Sequence, residues 1–86
     1  MIDVQQAVTE AIKYLQSLPV SRPGPPQNVA LEEVELTDDE RHWLITLSYR
    51  DRVRGASSIL GPPKYKIFKV NTANGRVQSM KIRELK

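Results

Sequence analysis

Residues 41–50 alternate cleanly, with Trp43, Ile45, Leu47 and Tyr49 on one parity and His42, Leu44, Thr46, Ser48 and Arg50 on the other. Period two marks a strand with one face on a core, so the first set is expected inward. Residues 3–18 carry the other period. Val4, Val8, Ala11, Ile12, Leu15 and Leu18 recur at three- and four-residue steps and form one helical stripe. Asp3 can cap its start, with Gln6 completing an approximate capping box, and Pro19 stops it. A helix this short does not hold alone in water, so its stripe is predicted to lie on a sheet.

Three further strands follow from the same pattern, at about 28–36, 64–70 and 77–83. In the first, Val29 and Leu31 share one parity and Val34 and Leu36 the other, which predicts a bulge near Glu32 and Glu33. The last two flank the polar segment 71–76, where Gly75 can take the positive φ of a tight reversal. If Asn71 lies opposite Arg76, Val70 meets Val77, Ile67 meets Met80 and Tyr65 meets Ile82. Tyr65, Ile67, Met80 and Ile82 are then expected toward the helix, with Phe68, Val70 and Val77 on the opposite face. A bulge in this hairpin would change the parity and mix the two sets. The short polar stretch 37–40 should close a hairpin between the first two strands.

Two connections are less regular. Residues 19–27 hold four prolines and are read as a stiff crossover; a polyproline ligand around Arg22, Pro23 and Pro26 is the alternative. Residues 51–63 form a connection long enough to be functional or disordered. It carries Arg52 and Arg54 and, with Arg50 and Lys64–Lys69 nearby, could make a basic lip beside the sheet.

Length bounds the chain to one domain, 1–86, with a single core. Cysteine is absent, which excludes disulfides, thiolate metal sites and a cysteine nucleophile. Residues 1–18 lack the basic start and unbroken apolar run of a signal peptide, and no apolar run is long enough to span a membrane. A cytoplasmic location without membrane association is expected. Charge is unevenly placed. Residues 1–40 hold eight carboxylates against Lys13 and Arg22, net −6, whereas residues 41–86 hold eleven bases against Asp51 and Glu84, net +9. Either acidic and basic strands pair across one sheet, or a basic surface serves an anionic partner.

The candidate chemistry is sparse. His42 is the only histidine and falls on the strand face away from the core, near a turn. Glu32, Glu33, Glu35, Asp38, Asp39 and Glu40 lack the interleaved ligands and glycine turn of a calcium loop and read as a solvated edge. No carboxylate pair, Ser–His arrangement or phosphate loop has supporting context, so neither catalysis nor a cofactor is expected.

One helix, a crossover, a strand pair and a strand running through a glycine turn into a last strand is the element order of PepSY-type domains. Residues 65–77, Tyr-Lys-Ile-Phe-Lys-Val-Asn-Thr-Ala-Asn-Gly-Arg-Val, resemble that family's strand, Thr-Gly turn and valine. Asn71 stands for the usual Asp, Asn74 for the usual Thr, and Ala73 is displaced by one position. The resemblance implies a helix on an antiparallel sheet and a non-catalytic role, sometimes inhibitory or chaperone-like toward peptidases, in a family commonly exported or membrane-linked.

The expected fold is therefore α+β, with one N-terminal helix packed on a four-stranded antiparallel β-meander. The expected core is Val4, Val8, Ala11, Ile12, Leu15, Leu18, Trp43, Ile45, Leu47, Tyr49, Ile67, Met80 and Ile82. The expected function is a protein-interaction module, inhibitory or regulatory, whose partner is another protein or a second copy. Its expected partner-binding residues are Leu44, Arg50, Arg52, Arg54, Lys66, Phe68, Val70 and Val77, on the open sheet face and the basic connection. Nucleic-acid binding is the alternative, using Arg50, Arg52, Arg54, Lys64, Lys66 and Lys69 with Phe68 or Tyr65 as a stacking platform.

Overall fold

The structure, a computed structural model, describes residues 1–18, 26–53 and 56–83, with the backbone alone for 52, 53 and 56–60. Helix α1 spans Val4–Ser17. Asp3 caps it, its Oδ1 accepting from the Gln6 amide at 2.8 Å. Leu18 is already extended, as the residue before a proline must be. Strands β1 (Gln27–Leu36), β2 (His42–Arg50), β5 (Lys64–Asn71) and β6 (Val77–Ile82) form an antiparallel sheet in the order β1-β2-β5-β6. The expected α+β meander is therefore present. Strands β3 (Arg52–Val53) and β4 (Ala56–Leu60) pair in a separate two-stranded sheet. The connection 51–63, expected to be a long loop, is thus a hairpin inserted between β2 and β5. The polyproline reading at Arg22 and Pro23 lies outside the described residues.

α1 crosses all four strands on one face. Ala7 and Ala11 are fully buried beneath it and let the helix axis approach the sheet closely, while Leu15 fills the space beside them. The predicted stripe omitted Ala7 and Tyr14. Tyr14 sets its ring edge-on to Phe68, at 6.2 Å between centroids and 79° between planes, worth about 0.5–1.5 kcal/mol beyond burial. Under the helix lie Ile45, Leu47, Tyr49, Phe68 and Val70. Full burial of each large side chain contributes about 1.5–3 kcal/mol. Trp43, expected in the core, is only partly buried and donates its indole N–H to the Ile2 carbonyl.

Strand β5 faces the opposite way from expectation. Ile45 pairs with Phe68 and Trp43 with Val70, so Phe68 and Val70 go under the helix and Ile67 takes the other face with Thr46. The β5–β6 turn keeps the predicted start: the Asn71 amide donates to the Arg76 carbonyl, Val70 meets Val77, and Gly75 has φ +74°. Beyond it the register shifts by one, so Lys69 meets Ser79 and Phe68 meets Met80. Gln78 is the extra residue. Met80 therefore does pack on the core, beside Phe68 rather than Ile67. Ile82 sits on the helix side but is 71% exposed and does not join the core.

The same device operates on the other edge. Leu31 pairs with Leu47 and Val34 with Ile45, with a shift between Leu31 and Glu33. The bulge expected near Glu32 and Glu33 is present, and it returns Val34 and Leu36 to the face of Leu31. Each bulge adds one residue to an edge strand and so restores an apolar set to the helix side.

The two hairpin turns are tied together by Thr72. Its amide donates to the Arg41 carbonyl at 2.9 Å, and its hydroxyl lies 3.0 Å from the carbonyls of both Glu40 and Arg41. Its own carbonyl accepts from the Ile2 amide at 2.7 Å. The chain start, the β1–β2 turn and the β5–β6 turn thus meet at one residue that is 6% exposed.

Candidate interaction face

The sheet face opposite α1 is read row by row from the strand pairings. One row runs Glu35, Leu44, Lys69, Ser79, and the next runs Glu33, Thr46, Ile67, Lys81. Ser48 and Tyr65 follow, and the Arg83 amide donates to the Tyr65 carbonyl at 3.0 Å. Carboxylates therefore stand along β1 and cations along β5 and β6, with Leu44, Ile67 and Tyr65 between them. Glu33, Glu35, Leu44, Thr46, Ile67 and Arg83 line a shallow groove of about 230 Å³. No other described element is laid across this face.

Three side-chain links organise it. Arg83 reaches across the sheet, its Nη1 2.7 Å from Glu33 Oε2 and 3.1 Å from Thr46 Oγ1. The pair is partly exposed and contributes at most about 1 kcal/mol. Ser48 donates to Glu32 Oε2 at 2.6 Å, and His42 Nε2 lies 2.6 Å from Gln78 Oε1. Both bulge residues thus turn their side chains back onto β2. Thr46 and Ser48, 4% and 7% exposed, have their hydroxyls satisfied by these links although they face away from the helix. Acid and base do pair across the sheet, as one reading of the charge asymmetry anticipated. Arg83, at the end of the strand expected over 77–83, is held by backbone and side chain alike; residues 84–86 lie outside the described ones.

Of the predicted partner-binding residues, Leu44 and Arg50 lie on this face. Phe68 and Val70 are fully buried, and Val77 packs against the same core. Lys66 shares their side, paired between Leu47 and Ile82. These four are corrected for one reason: β5 presents its even residues to the helix. Only the backbone of Arg52 is described, in β3, and Arg54 lies outside the described residues. Sequence reasoning missed Glu33, Glu35, Ile67, Lys81 and Arg83 as neighbours. The signal was the acidic and basic halves, which needed a strand order to become a pattern on one face.

The bases grouped for nucleic acid separate. Lys64 pairs with Asp51 at 2.7 Å, and Arg50 Nη1 is 3.5 Å from the Gly61 carbonyl. Lys66 and Lys69 point to opposite faces. Phe68 is unavailable for stacking. Among the described residues no group of three or more histidines or carboxylates is placed to hold a metal ion, and no helix is long and apolar enough to cross a membrane. Asp39 instead organises the β1–β2 turn. Its Oδ1 accepts from the Thr37 hydroxyl at 2.6 Å and the Arg41 amide at 3.0 Å, and these bonds hold its carboxyl below the usual aspartate range.

Fold and face together define a small α+β domain with one covered and one presented sheet surface. Comparison with family models, curated proteins and solved structures finds no match to the chain.

Proposed function

We propose that the chain is a non-enzymatic protein-interaction module that binds through the sheet face opposite α1. The observation that carries the reading is the groove in which Leu44 and Ile67 lie between the carboxylates of Glu33 and Glu35 and the guanidinium of Arg83. An apolar centre inside a charged rim is the anatomy of a protein-binding patch. Rim charges steer and select the partner more than they hold it. The β3–β4 hairpin is inserted between β2 and β5, at the Arg50 end of this face. An inhibitory or regulatory role, of the kind the PepSY resemblance implies, needs no catalytic group and is compatible with such a surface.

The test is capture from native lysate with the intact chain beside Ile67→Glu and Leu44→Glu variants of unchanged circular dichroism. A protein retained by the parent and released by both variants supports the reading. Retention indifferent to both substitutions overturns it. Recovery of nucleic acid alone, lost as salt rises, moves the function to the alternative class.

A further inference from the structure

We infer that the partner of the open face is a second copy of the chain, stacked face to face about a two-fold axis parallel to the strands. The inference rests on the interaction reading above and adds the identity and orientation of the partner. It comes from the order of charge across the sheet. Glu33 and Glu35 stand on β1, at one edge, while Lys81 stands on β6 at the other and Lys69 on β5 beside it. A surface acidic along one edge and basic along the other is complementary to itself in one orientation only.

Two symmetric stackings of such a face are possible. A two-fold axis across the strands sets β1 over β1, carboxylates against carboxylates. An axis along the strands sets β1 of one copy over β6 of the other. The row Glu33, Thr46, Ile67, Lys81 then lies reversed on its own copy, with Glu33 over Lys81 and Ile67 over Thr46. In the adjoining row Glu35 comes over Ser79, between Lys69 and Lys81. Sheets packed in this way stay within about 30° of aligned and about 10 Å apart, a gap that these side chains span. Such an interface is isologous, the commonest form of self-association.

Within one copy the Arg83–Glu33 bridge already joins the two edges and holds the guanidinium over Thr46. Among the described residues Glu35, Lys69 and Lys81 have no ion-pair partner in their own chain. They are the charges left for the second copy. With a small apolar centre and charged edges, the pair should be weak and sensitive to salt.

Sedimentation equilibrium of the intact chain from about 10 μM to about 1 mM tests it. Three samples are compared: the parent, Glu33→Lys/Glu35→Lys, and Lys69→Glu/Lys81→Glu, each with the circular dichroism of the parent. The expected parent mass doubles with concentration, and its dissociation constant rises at least about tenfold between low and high salt. Each variant alone sets like charges over one another at both edges and remains a monomer where the parent pairs. An equimolar mixture of the two restores the dimer, because each altered edge then meets its complement. A parent that stays monomeric, variants that pair as the parent does, or a mixture that fails to pair would each overturn the inference. If the chain is monomeric yet Ile67→Glu still releases a captured protein, self-pairing falls and the interaction reading stands; if neither effect is seen, both fall.

Discussion

The two faces of β5 carry nearly equal apolar content and meet opposite fates. Phe68 and Val70 are fully buried under α1, while Tyr65 and Ile67 stay half-exposed on the other side beside Leu44. Composition does not separate them. Pairing with β2 does: once Ile45 is set opposite Phe68, that residue shares the face that the helix covers. The face that lost the competition for the helix is not left bare. Links from Glu32, Gln78 and Arg83 satisfy its polar groups, and its apolar residues lie between two edges of opposite charge. Burial and binding surface are thus two outcomes of one register.

The sharpest way to break this comparison is to truncate each side of β5 in turn. Phe68→Ala should lose about 3–5 kcal/mol, since it empties a fully buried site that also meets Tyr14. Ile67→Ala should lose less than about 1.5 kcal/mol. Equal urea midpoints for the two variants would show that the faces have been assigned the wrong way round. Deleting Gln78 removes the extra residue and leaves Ser79 opposite Lys69 and Met80 opposite Phe68, so Met80 should stay inward and the loss should be about 1 kcal/mol, that of the contact to His42. A loss of about 1.5–3 kcal/mol, the size expected for turning Met80 out of the core, would refute the register.

Smaller effects separate the two turns. Gly75 and Glu40 both sit at positive φ, +74° and +58°. A β-carbon at Gly75 meets Ile2 Cδ1 at an ordinary 3.6 Å, so the penalty of Gly75→Ala is conformational, about 1 kcal/mol. Glu40→Gly should gain up to about 1 kcal/mol by relieving the same strain. Thermal melts of opposite sign are expected, and a shift of the same sign in both would argue against backbone strain as the cause. On the open face, Arg83→Ala should cost no more than about 1 kcal/mol, because its bridge to Glu33 is partly exposed. A loss as large as that of Phe68→Ala would make Arg83 a core element.

The smallest effect is in acid. Because the folded-state carboxyl of Asp39 is lowered, its contribution is present above the ordinary aspartate range and is lost as pH falls through the lowered value. Parent and Asp39→Asn should therefore differ at neutral pH and converge in strong acid. A difference that persists unchanged into acid would assign the turn's stability to something other than that carboxylate.

Much of the site was out of reach of local pattern. Leu44 and Arg50 were placed correctly because β2 alternates cleanly and only one of its faces can be core. Phe68, Val70 and Lys66 were misplaced because β5 has apolar residues on both parities. Val77 was misplaced with them, since its cross-strand partner Val70 carried it to the same side. Arg83 was not placed on the face because its partners, Glu33 and Thr46, are far away in the chain. The hairpin in 51–63 gave no alternating signal, since its ladder is short and irregular, with Arg52 opposite Leu60 and Val53 opposite Ala56.

What the chain determines by itself is whatever depends on residues within a few positions of one another. The period of α1, its Asp3 cap, the four long strands, the left-handed Gly75 and the Glu32–Glu33 bulge all follow from local geometry, and all are present. Only the tertiary structure decided which face of β5 the helix covers. β2 and β5 are joined through an inserted hairpin rather than a tight turn, so no local constraint transmits parity from one to the other. Pairing across that gap, and the one-residue shift at Gln78, turned two acidic and basic stretches into opposite edges of a single face.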